Sequence, residues 1–222
     1  EDRMLYEVEA NLDAGEGIVF ETEYELTIPH GLGKRPGQYQ QPFILPGGVL
    51  LSRFPGDFSF LPSIGFTLTQ EGLSWRDVAG PVDRRFGMGG LDQVIDIEAR
   101  VTVPDGYRVN MPGDLISLER TGDTGDATDV MRTYHWKTLT PVAPLFHLVA
   151  GRWDVLAGEH GEVWYDPMHR EAAARSFEAL EEAVPAFSSW FGKLDYDTIR
   201  LNEFPSYTDY SQSADQNIIL NE

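Results

Sequence analysis

The sequence predicts a mainly β protein, in which a β domain of sandwich or saddle-like form is followed by a small α/β segment. From residue 6 to about residue 155, apolar and polar residues alternate in short runs that Gly and Pro separate, as in residues 17–28, 94–103 and 115–119. This part of the chain has no helical periodicity. Many short strands of this kind favour a sandwich or a bent sheet.

The one convincing helical pattern comes later and has clear start and stop signals. Asp166 can accept hydrogen bonds from the free amides of the first turn, and Pro167 suits the first helical position. Pro185 is expected to kink the helix, and Gly192 is expected to end it. Apolar residues recur at spacings of three and four and bury one face; they are Phe177, Leu180, Val184, Phe187 and Phe191.

Short strands before and after this helix give the C-terminal part an α/β character. The predicted strands are residues 162–165, 198–203 and 217–220. A polar, aromatic loop is predicted at residues 205–215. We therefore divide the chain into a β domain at residues 1–157 and an α/β segment at residues 158–222.

The chain is strongly acidic, which narrows the classes of partner. Its 36 Asp and Glu residues against 17 Lys and Arg residues give a net charge of −19, which repels nucleic-acid phosphates and anionic lipid headgroups. We therefore expect no nucleic-acid partner. Hydrophobic residues make up 41% of the chain, enough for a folded core, and no run reaches the ~18 apolar residues that a membrane-spanning helix needs.

The histidines of this chain do not form a zinc-binding motif. A thermolysin-like zinc peptidase needs two histidines four residues apart on a helix, with a glutamate beside the first. No two histidines here have that spacing; they are His30, His135, His147, His160 and His169. The absence of cysteine excludes thiolate ligands as well. We expect no metal site and no catalytic residue in these 222 residues.

An acidic segment at residues 122–129 has two readings. Its carboxylates, from Asp123 to Asp129, recur at every third position and could bind a hard cation such as calcium, although the spacing is not that of an EF-hand loop. The same residues fit the solvated turn of a hairpin between Leu118 and Met131. The sequence favours the hairpin.

Residues 60–66 and 142–152, and then residues 162–169 and 199–207, form an ordered pattern. It resembles the gluzincin zinc aminopeptidase (aminopeptidase N) family, in particular its divergent branch associated with ABC-transporter permease proteins. The first pair is similar to the last strands of the family's N-terminal β domain, and the second to the opening of its thermolysin-like catalytic domain.

The resemblance implies that the chain is an N-terminal part of a longer zinc metallopeptidase and ends before the zinc motif. Zinc is then expected in the full-length protein, bound by residues beyond Glu222, and this part is expected to be non-catalytic. The implied partners are a peptide substrate, the remainder of the catalytic domain and transporter membrane segments. The implied location is the extracytoplasmic part of a membrane protein.

The resemblance also gives the candidate substrate-binding residues. Family members carry the motif Gly-Ala-Met-Glu-Asn, whose glutamate holds the free amino terminus of the substrate. In this chain Tyr210, Gln212 and Ser213 lie near that place, and no glutamate follows until Glu222. A neutral amide pairs more weakly with an ammonium group than a carboxylate does, which puts exopeptidase specificity in doubt.

Two other functions stay open at this point. The chain could be a noncatalytic extracytoplasmic module of an ABC transporter that binds peptides or couples to the membrane segments, with residues 217–220 as a strand edge for an extended peptide. A third reading, a glycan-binding β-sandwich, depends on Trp75, Trp136 and Trp153, although core packing explains these tryptophans better.

Overall fold

A computed structural model gives the fold of the chain. The described residues are 43–45, 48–53, 94–122, 130–143, 146–204 and 211–221, with isolated positions between residues 11 and 25. Several features singled out in the sequence lie outside the described residues: the stretch 60–66, Trp75, the segment 123–129 and Tyr210.

Strands dominate the described residues, which confirms the predicted mainly β fold. The strands are β1 (Phe43–Leu45), β2 (Gly48–Arg53), β3 (Glu98–Pro104), β4 (Arg108–Asn110), β5 (Asp114–Thr121), β6 (Met131–Lys137), β7 (Phe146–Gly151), β8 (Asp154–Ala157), β9 (Gly161–Tyr165), β10 (Ile199–Phe204), β11 (Gln212–Ala214) and β12 (Asn217–Asn221). One α-helix, α1 (Arg170–Phe191), lies between β9 and β10.

The strands form three sheets within the described residues. Two are antiparallel, with the orders β1-β2-β7-β4 and β3-β6-β5. From here on, the β domain means these two sheets and the described residues that connect their strands. The third has the order β11-β12-β10-β9-β8 and is mixed, because β9, β10 and β12 run parallel. We call this sheet with α1 the α/β unit.

The sheets stack in layers whose cores follow from side-chain alternation. On β7, Leu148 and Ala150 join the core against the three-stranded sheet, whereas Val149 joins the core against the α/β unit. On β9, Trp164 faces the β domain and Val163 faces α1. Because successive residues of a strand point to opposite faces, both strands are buried on both sides.

The helix begins and ends where the sequence predicts. Asp166 caps a single 3-10 turn, Pro167–His169, by accepting a hydrogen bond from the Met168 amide, and α1 follows directly. Gly192 ends α1 with a φ of 100°. The helix continues through Pro185, which lies in its C-terminal half. This β9-α1-β10 crossover brings two parallel strands side by side.

Two details of the prediction change. Residues 212–214, predicted within a loop, form the strand β11, which pairs antiparallel with β12. The predicted edge strand at residues 217–220 is not an edge, because β12 lies between β10 and β11. The domain division after residue 157 stays a prediction; β8 ends at Ala157 and pairs with β9, so this division falls inside a hairpin of one sheet.

Candidate functional site

Among the described strands, β11 lies at the edge of its sheet, and we call its outer side the open edge. Gln212, Ser213 and Ala214 pair with Ile219, Ile218 and Asn217 of β12, and among the described residues no strand pairs with β11 on its other side. In a hairpin with a two-residue turn, the flanking pair is hydrogen-bonded and the next pair is not. The backbone N–H and C=O of Ser213 therefore point away from β12, and the residue is exposed.

A cleft of about 340 Å³ lies next to this edge. Its wall comes from both the β domain and the α/β unit, and most of its lining residues are apolar. They are Ala143, Leu194, Tyr196, Ile199, Ser213, Ala214, Asp215, Gln216 and Ile218. The edge strand thus contributes part of a concave, largely apolar surface, the kind of surface that binds side chains of a ligand.

A smaller cavity of about 190 Å³ shares part of this wall and is acidic. Its carboxylates are Asp114, Asp195, Asp197 and Asp215. Tyr196 lines both spaces. Burial raises the pKa of the Tyr196 phenol, and the neighbouring carboxylates of Asp215 and Asp195 raise it further, while a backbone hydrogen bond with Gln216 acts in the opposite direction.

A chain of buried asparagines lies behind the edge and joins the β domain to the α/β unit. The Asn110 side chain on β4 donates a hydrogen bond of 2.7 Å to Asn202 Oδ1 on β10. Asn202 in turn donates a longer bond of 3.4 Å to Asn217 Oδ1 on β12. All three side chains are almost fully buried, so each hydrogen bond matters for the relative position of the strands.

Arg200 forms a second buried polar link between the same layers. Its Nη1 donates a 2.9 Å hydrogen bond to the Gly113 carbonyl, and its guanidinium lies 5.0 Å from the ring centroid of Trp136. Burial lowers the pKa of Arg200, while the carboxylates of Glu162 and Asp114 act in the opposite direction. These contacts hold a charged side chain at the centre of the interface.

The structure brings together two of the three predicted substrate-binding residues. Gln212 and Ser213 both lie on the edge strand, and Ser213 also lines the cleft. Tyr210 lies outside the described residues. Their role in substrate binding stays a prediction. No local sequence pattern indicates the cleft, because Ala143 and Tyr196 are far apart in the chain and meet only in the folded protein.

The described residues do not fit the zinc that the family resemblance implies. No group of three His, Cys, Asp or Glu side chains within them could hold a metal ion. His169 pairs with Glu203, His135 lies 2.9 Å from a Glu98 oxygen, and His147 is buried with a pKa lowered to about 4 by desolvation.

The end of α1 carries an exposed aromatic cluster, so the prediction that Phe187 and Phe191 belong to a buried face of the helix is wrong. Phe187, Trp190 and Phe191 are 54%, 70% and 81% exposed, and their ring centroids lie 5.6 to 6.3 Å apart.

Trp136 and Trp153, two of the tryptophans on which the glycan-binding hypothesis depends, are buried core residues. Neither of them offers a surface for stacking on a sugar. In the part of the chain that the structure describes, no helix is long and apolar enough to cross a membrane.

Comparison with known proteins gives structural neighbours only. No protein-family model and no curated protein matches the chain. Among solved structures, the chain is similar to Legionella pneumophila aminopeptidase A in complex with aspartic acid, with 15% identity and a TM-score of 0.49. The match covers 58% of this chain and 16% of that one.

Two further neighbours are M1 zinc metallopeptidases. One is a two-domain enzyme variant bound to L-arginine, at 13% identity, and the other comes from Deinococcus radiodurans, at 14% identity. Both have a TM-score of 0.44, and both matches cover 60% of this chain and 32% of the other. The chain therefore spans a third or less of the length of these neighbours, and its activity is a matter for proposal.

Proposed function

We propose that the chain is the non-catalytic, substrate-flanking portion of a zinc metallopeptidase of aminopeptidase type. In this proposal it binds an extended peptide along the open edge of β11. The observation that carries the proposal is the juxtaposition of the outward-facing backbone of Ser213 with the apolar cleft beside it.

The edge supplies the backbone part of the recognition. An extended peptide that adds to a sheet edge gains main-chain hydrogen bonds, and pockets for alternate side chains give the specificity. Ser213 offers one backbone donor and one backbone acceptor on the open side. Its side chain is small and does not block the approach of a peptide.

The cleft and its surroundings supply the side-chain part. Ala143, Ile199 and Ile218 offer apolar surface to one peptide side chain, and the acidic cavity that shares Tyr196 and Asp215 lies adjacent. A peptide that alternates basic and apolar residues complements both spaces, and the net charge of −19 favours its approach.

A matched pair of variants tests the edge. Ser213→Pro removes the outward N–H but no hydrogen bond to β12, whereas Ser213→Ala keeps the whole backbone. Binding of a peptide that alternates Lys and Val should fall about tenfold in Ser213→Pro and stay unchanged in Ser213→Ala, as measured by calorimetry. Equal affinity of the two variants, with the Ser213→Pro protein folded, argues against binding at this edge.

The catalytic part of the proposal belongs to the longer protein. Zinc, when bound there, would polarise the peptide carbonyl and activate water. Cleavage of peptides by the longer protein that stops on chelation and returns with added zinc supports the proposal. A longer reading frame without two histidines four residues apart contradicts it.

A second candidate is a noncatalytic peptide-binding or coupling module of an ABC transporter, outside the cytoplasm. It is favoured by the neutral pair Gln212 and Ser213, which lies near the place where the family resemblance implies a glutamate for the substrate amino terminus. A longer protein that binds the peptide without metal-dependent cleavage favours this candidate.

A further inference from the structure

Gln216 occupies an unusual backbone conformation in the turn between β11 and β12. Its φ is 60°, and among the described residues it is the only residue other than glycine with a positive φ. A side chain in this left-handed region costs on the order of 1 kcal/mol, so such a residue persists where surrounding contacts fix it. The turn that carries the open edge is therefore held by contacts elsewhere.

Those contacts come from both parts of the molecule. The Gly113 backbone N–H, in the β domain, donates a hydrogen bond of 2.6 Å to Gln216 Oε1. The Arg200 backbone N–H, on β10, donates one of 2.7 Å to the Gln216 carbonyl. The neighbouring Asp215 carboxylate accepts a hydrogen bond from the Ala143 amide, again in the β domain. The β domain thus donates a hydrogen bond to the side chain of each of the two turn residues.

The anchoring point in the β domain is closely packed. Gly113 has a φ of 101°, and a Cβ there would lie 2.5 Å from the Lys137 carbonyl oxygen, so the backbone is closely packed. Its carbonyl accepts the hydrogen bond from the Arg200 guanidinium at 2.9 Å. Gly113 therefore contacts the α/β unit through both its N–H and its C=O.

We infer that Gln216 is a positioning residue through which the β domain holds the open edge of β11 in its binding-competent conformation. The inference rests on the proposed function, because it concerns the edge to which the peptide adds. When the Gln216 side chain is lost, the turn keeps only part of its anchorage and β11 leaves β12 more often. Apparent peptide affinity then falls in proportion to the competent fraction.

Three substitutions separate the side-chain hydrogen bond from the backbone strain. Gln216→Ala removes the acceptor and keeps the strain, Gln216→Gly removes both, and Gln216→Glu keeps an acceptor oxygen for the Gly113 amide. If strain alone mattered, Gln216→Gly would hold the hairpin at least as well as the native residue. If the side chain positions the turn, Gln216→Ala loosens it, Gln216→Gly loosens it less because relief of the strain offsets part of the loss, and Gln216→Glu restores it.

The experiment measures hydrogen exchange of the Gln212 and Ala214 amides, which pair with β12, in the peptide-free protein. Exchange should become about three- to tenfold faster in Gln216→Ala, the factor that one net hydrogen bond represents, and change less in Gln216→Gly, where the strain is also removed. In ~0.5 M salt, which screens the added carboxylate from Asp215, exchange should remain near native in Gln216→Glu. Affinity for the peptide that alternates Lys and Val should fall by a similar factor in Gln216→Ala.

The outcomes distinguish this inference from the proposed function. Native exchange rates and native affinity in Gln216→Ala overturn the inference and leave the edge-binding proposal standing. Faster exchange with unchanged affinity also overturns it. A native protein that does not bind the peptide, but whose exchange responds to the three substitutions as expected, contradicts the proposed function and supports the coupling of the hairpin to the β domain.

Discussion

The Glu181 carboxylate, in the middle of α1, accepts a hydrogen bond of 3.0 Å from the backbone N–H of Gly161 at the start of β9. It also accepts bonds of 2.9 and 3.1 Å from the amides of His160 and Glu159. Three consecutive amides of the β8–β9 hairpin thus converge on one carboxylate, in the manner of an anion-binding nest. This contact fixes the helix over the sheet whose far edge is β11.

Removal of that carboxylate should destabilise the protein. We expect Glu181→Ala to lower the free energy of unfolding by about 2 kcal/mol, because three amides lose a charged acceptor and two of them are partly buried. Chemical denaturation measures the change. Glu182→Ala, at an exposed position of the same helix turn, is the matched control and should change stability by less than ~0.5 kcal/mol. Equal losses in both variants contradict the account.

Two glycines with positive φ allow steric contact to be separated from backbone strain. Gly106 has a φ of 88° and open space around its Cα, whereas a Cβ on Gly113 would meet the Lys137 backbone. Gly106→Ala should therefore cost about 1 kcal/mol of unfolding free energy, from strain alone, and Gly113→Ala about 3 kcal/mol. Thermal unfolding of both variants checks this. Similar melting temperatures for the two would show that the close packing at Gly113 relaxes freely.

The two tryptophans of the α/β unit should differ sharply in their contribution to stability. Trp164 lies in the core between the sheets, and Trp190 is mostly exposed at the end of α1. We expect Trp164→Ala to cost about 3–5 kcal/mol and Trp190→Ala less than about 1 kcal/mol. Urea denaturation followed by circular dichroism measures both. A large loss for Trp190→Ala would show that the aromatic cluster supports the fold rather than merely lying on its surface.

Stability should fall as pH drops from about 6.5 to 4, because of His147. Desolvation lowers the pKa of His147 to about 4 in the folded protein, against an ordinary value of 6.5. Above pH 6.5 the imidazole is neutral in both states and contributes no pH dependence. Between the two values the unfolded state binds the extra proton, so unfolding becomes more favourable by up to about 3 kcal/mol.

The variant His147→Gln tests this pH dependence, because its side chain does not titrate in that range. The measurement is the difference between the unfolding free energies at pH 7 and pH 4.5 for the native protein and the variant. We expect a smaller difference in the variant. Parallel curves for the two proteins would assign the acid sensitivity to other groups.

Local signals explain which parts of the fold could be predicted from the sequence. The α1 boundaries follow from Asp166 and Gly192, whose effects act within one helical turn. The strands β9 and β10 follow from short apolar runs on either side of the helix. Such signals act between residues that are neighbours in the sequence, so they can be recognised before the tertiary structure is known.

The edge strand and its cleft depend on contacts that no local pattern carries. The residues of β11 are Gln, Ser and Ala, which have no strong strand preference, and the hydrogen bonds to β12 make them a strand. The position of β12 as an inner strand is set by its parallel pairing with β10. The anchorage of Gln216 by Gly113 joins residues 103 positions apart in the chain.

The most direct test of the central claim is the backbone amide of Ser213, observed by NMR while the peptide that alternates Lys and Val is titrated into the protein. We expect the resonance of this amide to shift until the protein is saturated with peptide. We also expect the amide to become protected from hydrogen exchange, since its outward N–H gains a backbone partner. Saturable binding that leaves the Ser213 amide unshifted and unprotected would place the peptide elsewhere and contradict binding along the edge of β11.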